Sequence, residues 1–162
     1  MHMCSIFPYL LIVACSQRKR SDSDLLPAIE RYDGVHFRVL RKAQREGYWP
    51  AYLDVLIVSA KYGLLELHTA IKYYDLRMTL KQAIQIRPLV LPILAERIES
   101  MTYVEVFLNV GRTYQASLEG WNVGLSRDTI VVYANGGIGQ RARQMRNWLI
   151  EKAGGDRGLT LV

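Results

Sequence analysis

Cysteine is scarce: Cys4 and Cys15 are the two present, neither belongs to a Cys-x-x-Cys pair, and neither lies near a histidine at metal-ligand spacing. Reduced thiols in a cytoplasm fit that usage best, and no metal or cofactor is expected. Long apolar runs are also missing. No stretch approaches the roughly 18 uninterrupted apolar residues of a membrane helix, so the chain should be soluble and need no membrane partner. "LIVAC" at 11–15 superficially resembles the end of a lipoprotein signal. Against that reading, no Lys or Arg precedes the run, Pro8 interrupts it and "SQRKR" follows at once. Repeats, low-complexity tracts and linkers are absent, which favours one domain over residues 1–162. The three histidines, His2, His36 and His68, fall in no triad or metal spacing, and surface or core positions are expected for them. No Gly-x-x-x-x-Gly-Lys-Ser/Thr loop occurs, which removes the usual phosphate-binding loop.

What remains is an ordinary globular composition, half apolar and 22% charged, with a net charge of +6. A basic balance favours phosphate-rich partners without specifying any chemistry. Four short apolar runs stand out: "PYLLIVAC" at 8–15, "LDVLIVSA" at 53–60, "YVEVFLNVG" at 103–111 and "DTIVVYA" at 128–134. Continuous runs suit strands buried on both faces of a parallel sheet. Helical patterns fill the gaps at 24–46 (broken near Asp33-Gly34), 79–100, 112–119 and 138–153. The alternation predicts a three-layer α/β sandwich with a mainly parallel central sheet of about four to five strands. Thr79 is the expected N-cap of the helix at 79–100. Pro88 and Pro92 predict a kink there, or a break with a fresh start near Arg87. At the end of the chain, "LTLV" could add a short edge strand.

Ligands of such sheets bind beyond the carboxyl ends of the strands. Those ends carry Cys15-Ser16-Gln17-Arg18-Lys19, then Ser59-Ala60-Lys61-Tyr62-Gly63, then Asn109-Val110-Gly111-Arg112-Thr113-Tyr114, then Asn135-Gly136-Gly137-Ile138-Gly139-Gln140-Arg141. Strands must end in turns, and turns favour Gly, Asn and Ser. A cation in each of the four is harder to assign to turn chemistry alone. "NGGIGQRAR" pairs glycines with a helix start, which is an anion site or a plain glycine-rich turn. Lys19 and Lys61 suit a phosphate or a leaving group, whereas Ser16 and Ser59 need a nearby base to act as nucleophiles. Asp75, in "AIKYYDLRM", is either a general base tuned by its aromatic neighbours or a cap for the helix near Thr79. Arg141, Arg143 and Arg146 form a basic stripe or a solvated face, with Met145, Trp148 and Leu149 on the packing side.

"LLIVACSQRK", "LLPAIERYDGVHFRVLRKA", "DVLIVSAKYGLLEL" with "IKYYDLRM", and "GGIGQRARQMRNWL" together resemble the uncharacterised bacterial, archaeal and phage domain family labelled DUF6884. The matching positions are Cys15, Ser16, Lys19, Ala28, Tyr32, Gly34, Phe37, Ser59, Lys61, Tyr62, Gly63, Tyr74 and Asp75. The sequence departs where a Pro-Leu pair often precedes the final glycines and Tyr133-Ala134-Asn135 stands instead. The first-strand block is similar to one in archaeosine-type tRNA-modification enzymes and, more distantly, to the YaaA and uracil-DNA glycosylase superfamily. That resemblance implies nucleotide or nucleic-acid chemistry and transfers no catalytic residue.

The resulting expectation is a protein that binds a nucleotide, or a nucleobase in DNA or RNA, and acts on an N-glycosidic bond. The alternatives are a non-catalytic nucleic-acid-binding module working beside a separate enzyme and a phosphate-ester or nucleotide-sugar enzyme. The catalytic candidates are Asp75, Lys61 and Ser59. The substrate-binding candidates are Cys15, Ser16, Lys19, Tyr62, Gly63, Tyr74, Asn109, Gly111, Arg112, Gly136, Gly137, Gly139 and Arg141.

Overall fold

A computed structural model describes residues 8–158. Strand β1 (Tyr9–Ala14) is followed by the two-residue β2 (Leu26–Pro27), the short α1 (Ala28–Arg31) and α2 (Val35–Glu46). Next come β3 (Leu53–Ser59), β4 (Gly63–Glu66), the two-residue β5 (Ala70–Ile71) and α3 (Leu80–Ser100). The last third holds β6 (Glu105–Asn109), α4 (Arg112–Gln115) with a 3₁₀ turn at Ala116–Leu118, β7 (Ile130–Tyr133) and α5 (Ile138–Gly158). The central sheet has the order β4-β3-β1-β6-β7, and a separate small sheet pairs β2 with β5. α2 packs with α5, while α3 packs with α4 and the 3₁₀ turn, so helices cover both faces.

The apolar runs form strands because both their faces are covered: Leu10, Leu11, Ile12 and Val13 are all fully buried at the centre. β1 pairs in parallel with β3 (Tyr9 opposite Leu53) and with β6 (Tyr9 opposite Glu105), and β6 pairs in parallel with β7. β7 is the edge, and its Ile130 and Tyr133 are more than half exposed. Inside the core, Glu105 is 6% exposed and takes the Trp148 indole N–H at 3.2 Å and the Lys152 ammonium at 2.6 Å, which ties α5 to the sheet. Met145 and Leu149 of the same helix are fully buried, as the packing-face reading requires.

The structure refines three sequence expectations. First, the second strand turns within Ala60–Tyr62 and returns as β4, antiparallel, with Ser59 opposite Gly63. Gly63 sits at φ +80°, the left-handed backbone that closes such three-residue hairpins. Second, α3 is one helix through Pro88 and Pro92, so of the two expected outcomes the break with a fresh start near Arg87 does not occur. Ile84, Pro88 and Pro92 are all exposed and spaced by four, so the carbonyls of Ile84 and Pro88 that lose a donor lie on the solvent side. Third, Thr79 caps α3 as expected, by accepting the Gln82 N–H at 3.1 Å, which removes the alternative of Asp75 as the cap. The 24–46 pattern divides at Tyr32–Gly34 as expected, and the 138–153 pattern extends as α5 to Gly158. The "LTLV" strand expectation, Cys4 and His2 lie outside the described residues.

Candidate functional site

The chain moves from β1 to β3 on one side of the sheet and then crosses to β6 on the other, so β1 and β6 flank the topological switch point. A crevice forms there because the connections leave in opposite directions. Two hollows open at that place, of about 290 Å³ and about 250 Å³, and they share Cys15, Ser16, Gln17, Gly111 and Tyr114 as a common wall. The larger is completed by Arg18, the first turn of α2 from Gly34 to Phe37, Ile138 and Arg141. The smaller is completed by Leu76, Arg77, Met78, Arg112 and Thr113. Neither lining contains an Asp or Glu. A larger hollow, about 440 Å³, lies at the opposite end of the sheet around Asp54, Glu66 and Arg97. Its carboxylates are already engaged, because Arg97 contacts both and the Tyr103 hydroxyl donates to Asp54 at 2.6 Å.

Beside the crevice, "SAKYGLL" and "YYD" come together around a ring of hydroxyls. Tyr32 Oη donates to Ser59 Oγ at 3.1 Å, Ser59 Oγ lies 3.0 Å from Tyr74 Oη, and Tyr74 Oη lies 2.6 Å from Tyr32 Oη. Each oxygen can then give one proton and take one, which closes the ring. Ser59 Oγ also accepts the backbone N–H groups of Lys61 (3.3 Å) and Tyr62 (3.1 Å), so it organises the hairpin turn. Burial raises the Tyr32 and Tyr74 hydroxyls well above the ordinary phenol range, which keeps both protonated. Fully buried, Ser59 is a structural hub facing protein on every side. We expect Ser59→Ala to lose roughly 2 kcal/mol, because it strands two N–H donors and opens the ring. Urea unfolding checks this: a shift of the midpoint without a change of slope is expected, and an unchanged midpoint would mean that the ring contributes nothing.

The ring carries two cations on its outer side. Lys19 Nζ lies 4.5 Å from the centroid of Tyr74 and 5.9 Å from that of Tyr32, and Lys61 Nζ lies 5.3 Å from Tyr62 and 5.7 Å from Tyr74. Tyr62 meets Tyr74 edge to face at 5.5 Å. Burial lowers the Lys19 ammonium below its usual range, with Cys15 and Asp75 acting against that shift. Lys19, Lys61 and Asp75 therefore occupy one side of the molecule. Asp75 itself is exposed at the rim and lines neither hollow.

The remaining expected residues divide by role. Cys15 Sγ lies 3.3 Å from Tyr114 Oη, which also donates to the Cys15 carbonyl at 3.2 Å, and this locks the wall between the hollows. Ser16 Oγ accepts the Gly34 N–H at 3.1 Å, and a Cβ on Gly34 would come 2.6 Å from Ser16 Cβ, so only glycine fits there. Asn109 is fully buried and holds Arg141 at 3.4 Å through Oδ1. Gly111 borders the same guanidinium, and a Cβ there would lie 3.5 Å from Arg141 Nη2, an ordinary contact that does not itself require glycine. Gly63 faces Leu89 of α3 and stands away from the hollows. Gly136 and Gly137 form a turn braced by Gln140, whose Oε1 accepts the Gly137 N–H at 2.9 Å, and a Cβ on Gly139 would meet nothing within 4 Å. The arginines of α5 do not act as one stripe: Arg141 turns into the larger hollow, Arg146 stacks on Tyr48 at 5.9 Å, and Arg143 is exposed.

Sequence reasoning missed Tyr114 as a wall of both hollows, Tyr32 as a member of the hydroxyl ring, and above all His36. His36 is 7% exposed, borders the larger hollow, and has no hydrogen-bond partner at Nε2. Its place in the first turn after Gly34, in "YDGVHF", was the available signal. Among the described residues no three His, Cys, Asp or Glu side chains converge as a metal site, and no helix is long and apolar enough to cross a membrane.

The order β3-β1-β6-β7, with helices on both faces, defines a doubly wound α/β protein whose cleft sits at the switch point. A family model described as "Family of unknown function (DUF6884)" matches residues 10–147, and the chain belongs to that family. The match takes in both hollows and the hydroxyl ring. No curated protein matches the sequence. Among solved structures, the crystal structure of AF0587, a protein of unknown function, is similar in fold with a TM-score of 0.52 at 14% identity. That likeness covers 88% of this chain and 44% of the other, so this chain spans less than half of its neighbour.

Proposed function

We propose that the protein binds a nucleotide, or a nucleobase carried in nucleic acid, in the crevice between β1 and β6. One observation carries this reading: the two joined hollows are lined by Arg18, Arg77, Arg112 and Arg141 and by no carboxylate, at the place where doubly wound sheets take their ligands. Arginine guanidinium groups match phosphate oxygens in pairs. Lys19 adds a cation at the rim over the buried Tyr74 ring, and the half-buried Tyr62, packed edge to face on that ring, offers the aromatic surface. In the catalytic form of this reading, Asp75 activates water against an N-glycosidic bond and Lys61 steadies the departing group. The second reading is a non-catalytic nucleic-acid-binding module, and it is favoured by the same lack of a carboxylate inside either hollow.

Binding of mononucleotides, single-stranded DNA and RNA across a salt series separates the two. A pocket ligand gives a shallow salt slope, whereas a backbone binder gives a steep one that grows with the number of phosphates neutralised. Lys19→Ala is expected to weaken mononucleotide binding about tenfold, the usual worth of one charge-assisted contact. If no mononucleotide or nucleic acid binds, the proposal fails. Release of free base from a bound substrate, lost in Asp75→Asn, is the result expected of the enzyme; equal turnover in that variant removes Asp75 from the mechanism.

A further inference from the structure

We propose that the larger hollow is an oxyanion subsite, in which a phosphoryl group sits between Arg141, His36 and the start of α2. That the phosphoryl group belongs to a nucleotide rests on the reading above; the subsite itself rests on three observations. α2 is twelve residues long, has no side-chain cap and has no acidic residue in its first turn, so the N–H groups of Val35, His36 and Phe37 lack partners within the helix. His36 borders the hollow more than nine-tenths buried, with Nε2 unpartnered, and a buried polar atom of that kind calls for an absent partner. Arg141 is drawn into the same hollow, and among the described residues its side chain meets only the neutral Asn109 amide as a hydrogen-bond partner, at the long distance of 3.4 Å.

The electrostatics agree. Burial lowers the Arg141 guanidinium from its usual range, and the His36 imidazole is held down to about 4 by burial and by the charge of Arg141. The other titratable or charged groups facing this hollow are Cys15, Arg18 and Tyr114, none of them a carboxylate. Arg18 is paired with Asp33 at 3.3 Å and Arg141 has only the weak Asn109 contact, so no carboxylate inside the hollow answers Arg141, His36 and the start of α2, and an oxyanion supplies that acceptor. Glycine at 34 is what allows the first turn of α2 to approach Ser16 closely enough to shape the floor.

The test is titration of the full chain with inorganic phosphate and with sulfate, followed by backbone amide resonances and by the His36 ring resonances. Shifts confined to Val35–Phe37 and Arg141 are expected. Arg141→Met and His36→Gln should each weaken binding about tenfold, with thermal unfolding used to confirm that both variants are folded. Absence of shifts at α2, or binding unchanged in both folded variants, overturns the subsite. The two proposals fail separately. Phosphate binding through His36 and Arg141 without any nucleotide binding leaves the subsite standing and removes the nucleotide reading. Nucleosides binding as tightly as nucleotides, with Arg141→Met without effect on either, removes the subsite and leaves the base-binding reading standing.

Discussion

Replacing Arg31 with methionine is expected to cost roughly 3 kcal/mol of stability and to release the segment that carries Lys19, because several charge-assisted hydrogen bonds are lost together. Arg31 is fully buried. Its guanidinium donates to the carbonyls of Arg20 (2.6 Å), Asp22 (2.9 Å), Asp24 and, across to β5, Ile71 (3.3 Å). Among the described residues no carboxylate lies within ion-pair distance of it, so carbonyl dipoles solvate the cation directly and the Asp22 carboxylate adds only a longer-range attraction. This is a cross-link from α1 to residues 20–24 and to β5. Methionine fills comparable volume yet donates nothing, and the exposed 20–24 segment regains its hydrogen bonds only by leaving for water. Arg31→Lys should recover less than half, because an ammonium offers three donors from one point to acceptors spread across two segments. Urea unfolding measures the loss. Faster hydrogen exchange at the amides of Arg20 and Asp33, which bond to Arg31 O and Arg18 O at 2.9 Å, locates it. A variant of wild-type stability with both amides still protected would show that the guanidinium is not the cross-link.

Arg31 also marks where the sequence stops being legible. The four parallel strands could be read directly, because the inner strands are covered on both faces and so largely apolar, the edge strand β7 keeps a β-branched run, and the strand ends then indicated the crevice. The meeting of Cys15–Lys19 with Gly111–Tyr114 and Arg141 follows from strand order alone. Side-chain burial against expectation does not. "AIERYDG" gives no sign that its arginine turns inward, since the carbonyls that hold it come from residues 20–24 and 71. Gly63 read as a ligand contact because turn glycines and ligand glycines have the same local signature, and only the β4 pairing separates them. The same holds for Pro88 and Pro92: their effect depends on which face of α3 meets solvent, and that face is set by distant packing. Ser59 and Tyr74 were correctly grouped near Lys61, but as a ring that holds the turn. Tyr32, the third member of the ring, is 27 residues from Ser59 and could not be placed without coordinates.

Acidification should reveal the second large effect. In the unfolded chain the His36 imidazole takes up a proton near its ordinary value of 6.5, while in the folded chain burial and Arg141 delay this to about 4. Between those values the unfolded state binds more protons, so each step down in pH favours unfolding. The neutral-imidazole contribution is complete above 6.5, declines through the window and is fully lost below 4. The difference between the two values corresponds to roughly 3 kcal/mol. Thermal unfolding of wild type and His36→Gln from pH 7 to pH 4 isolates this contribution, because carboxylate pairs such as the half-buried Asp33 with Arg38 and Arg41 are present in both. Wild type should lose stability across the window while the variant changes far less, and parallel curves would mean that His36 is not held neutral. Saturating sulfate should flatten the wild-type curve, since an oxyanion beside the imidazole favours its protonated form and offsets the Arg141 charge. A flattened wild-type curve with an unaffected variant would join the acid sensitivity to the subsite: the buried imidazole that destabilises the empty fold at low pH is the group that a bound oxyanion satisfies.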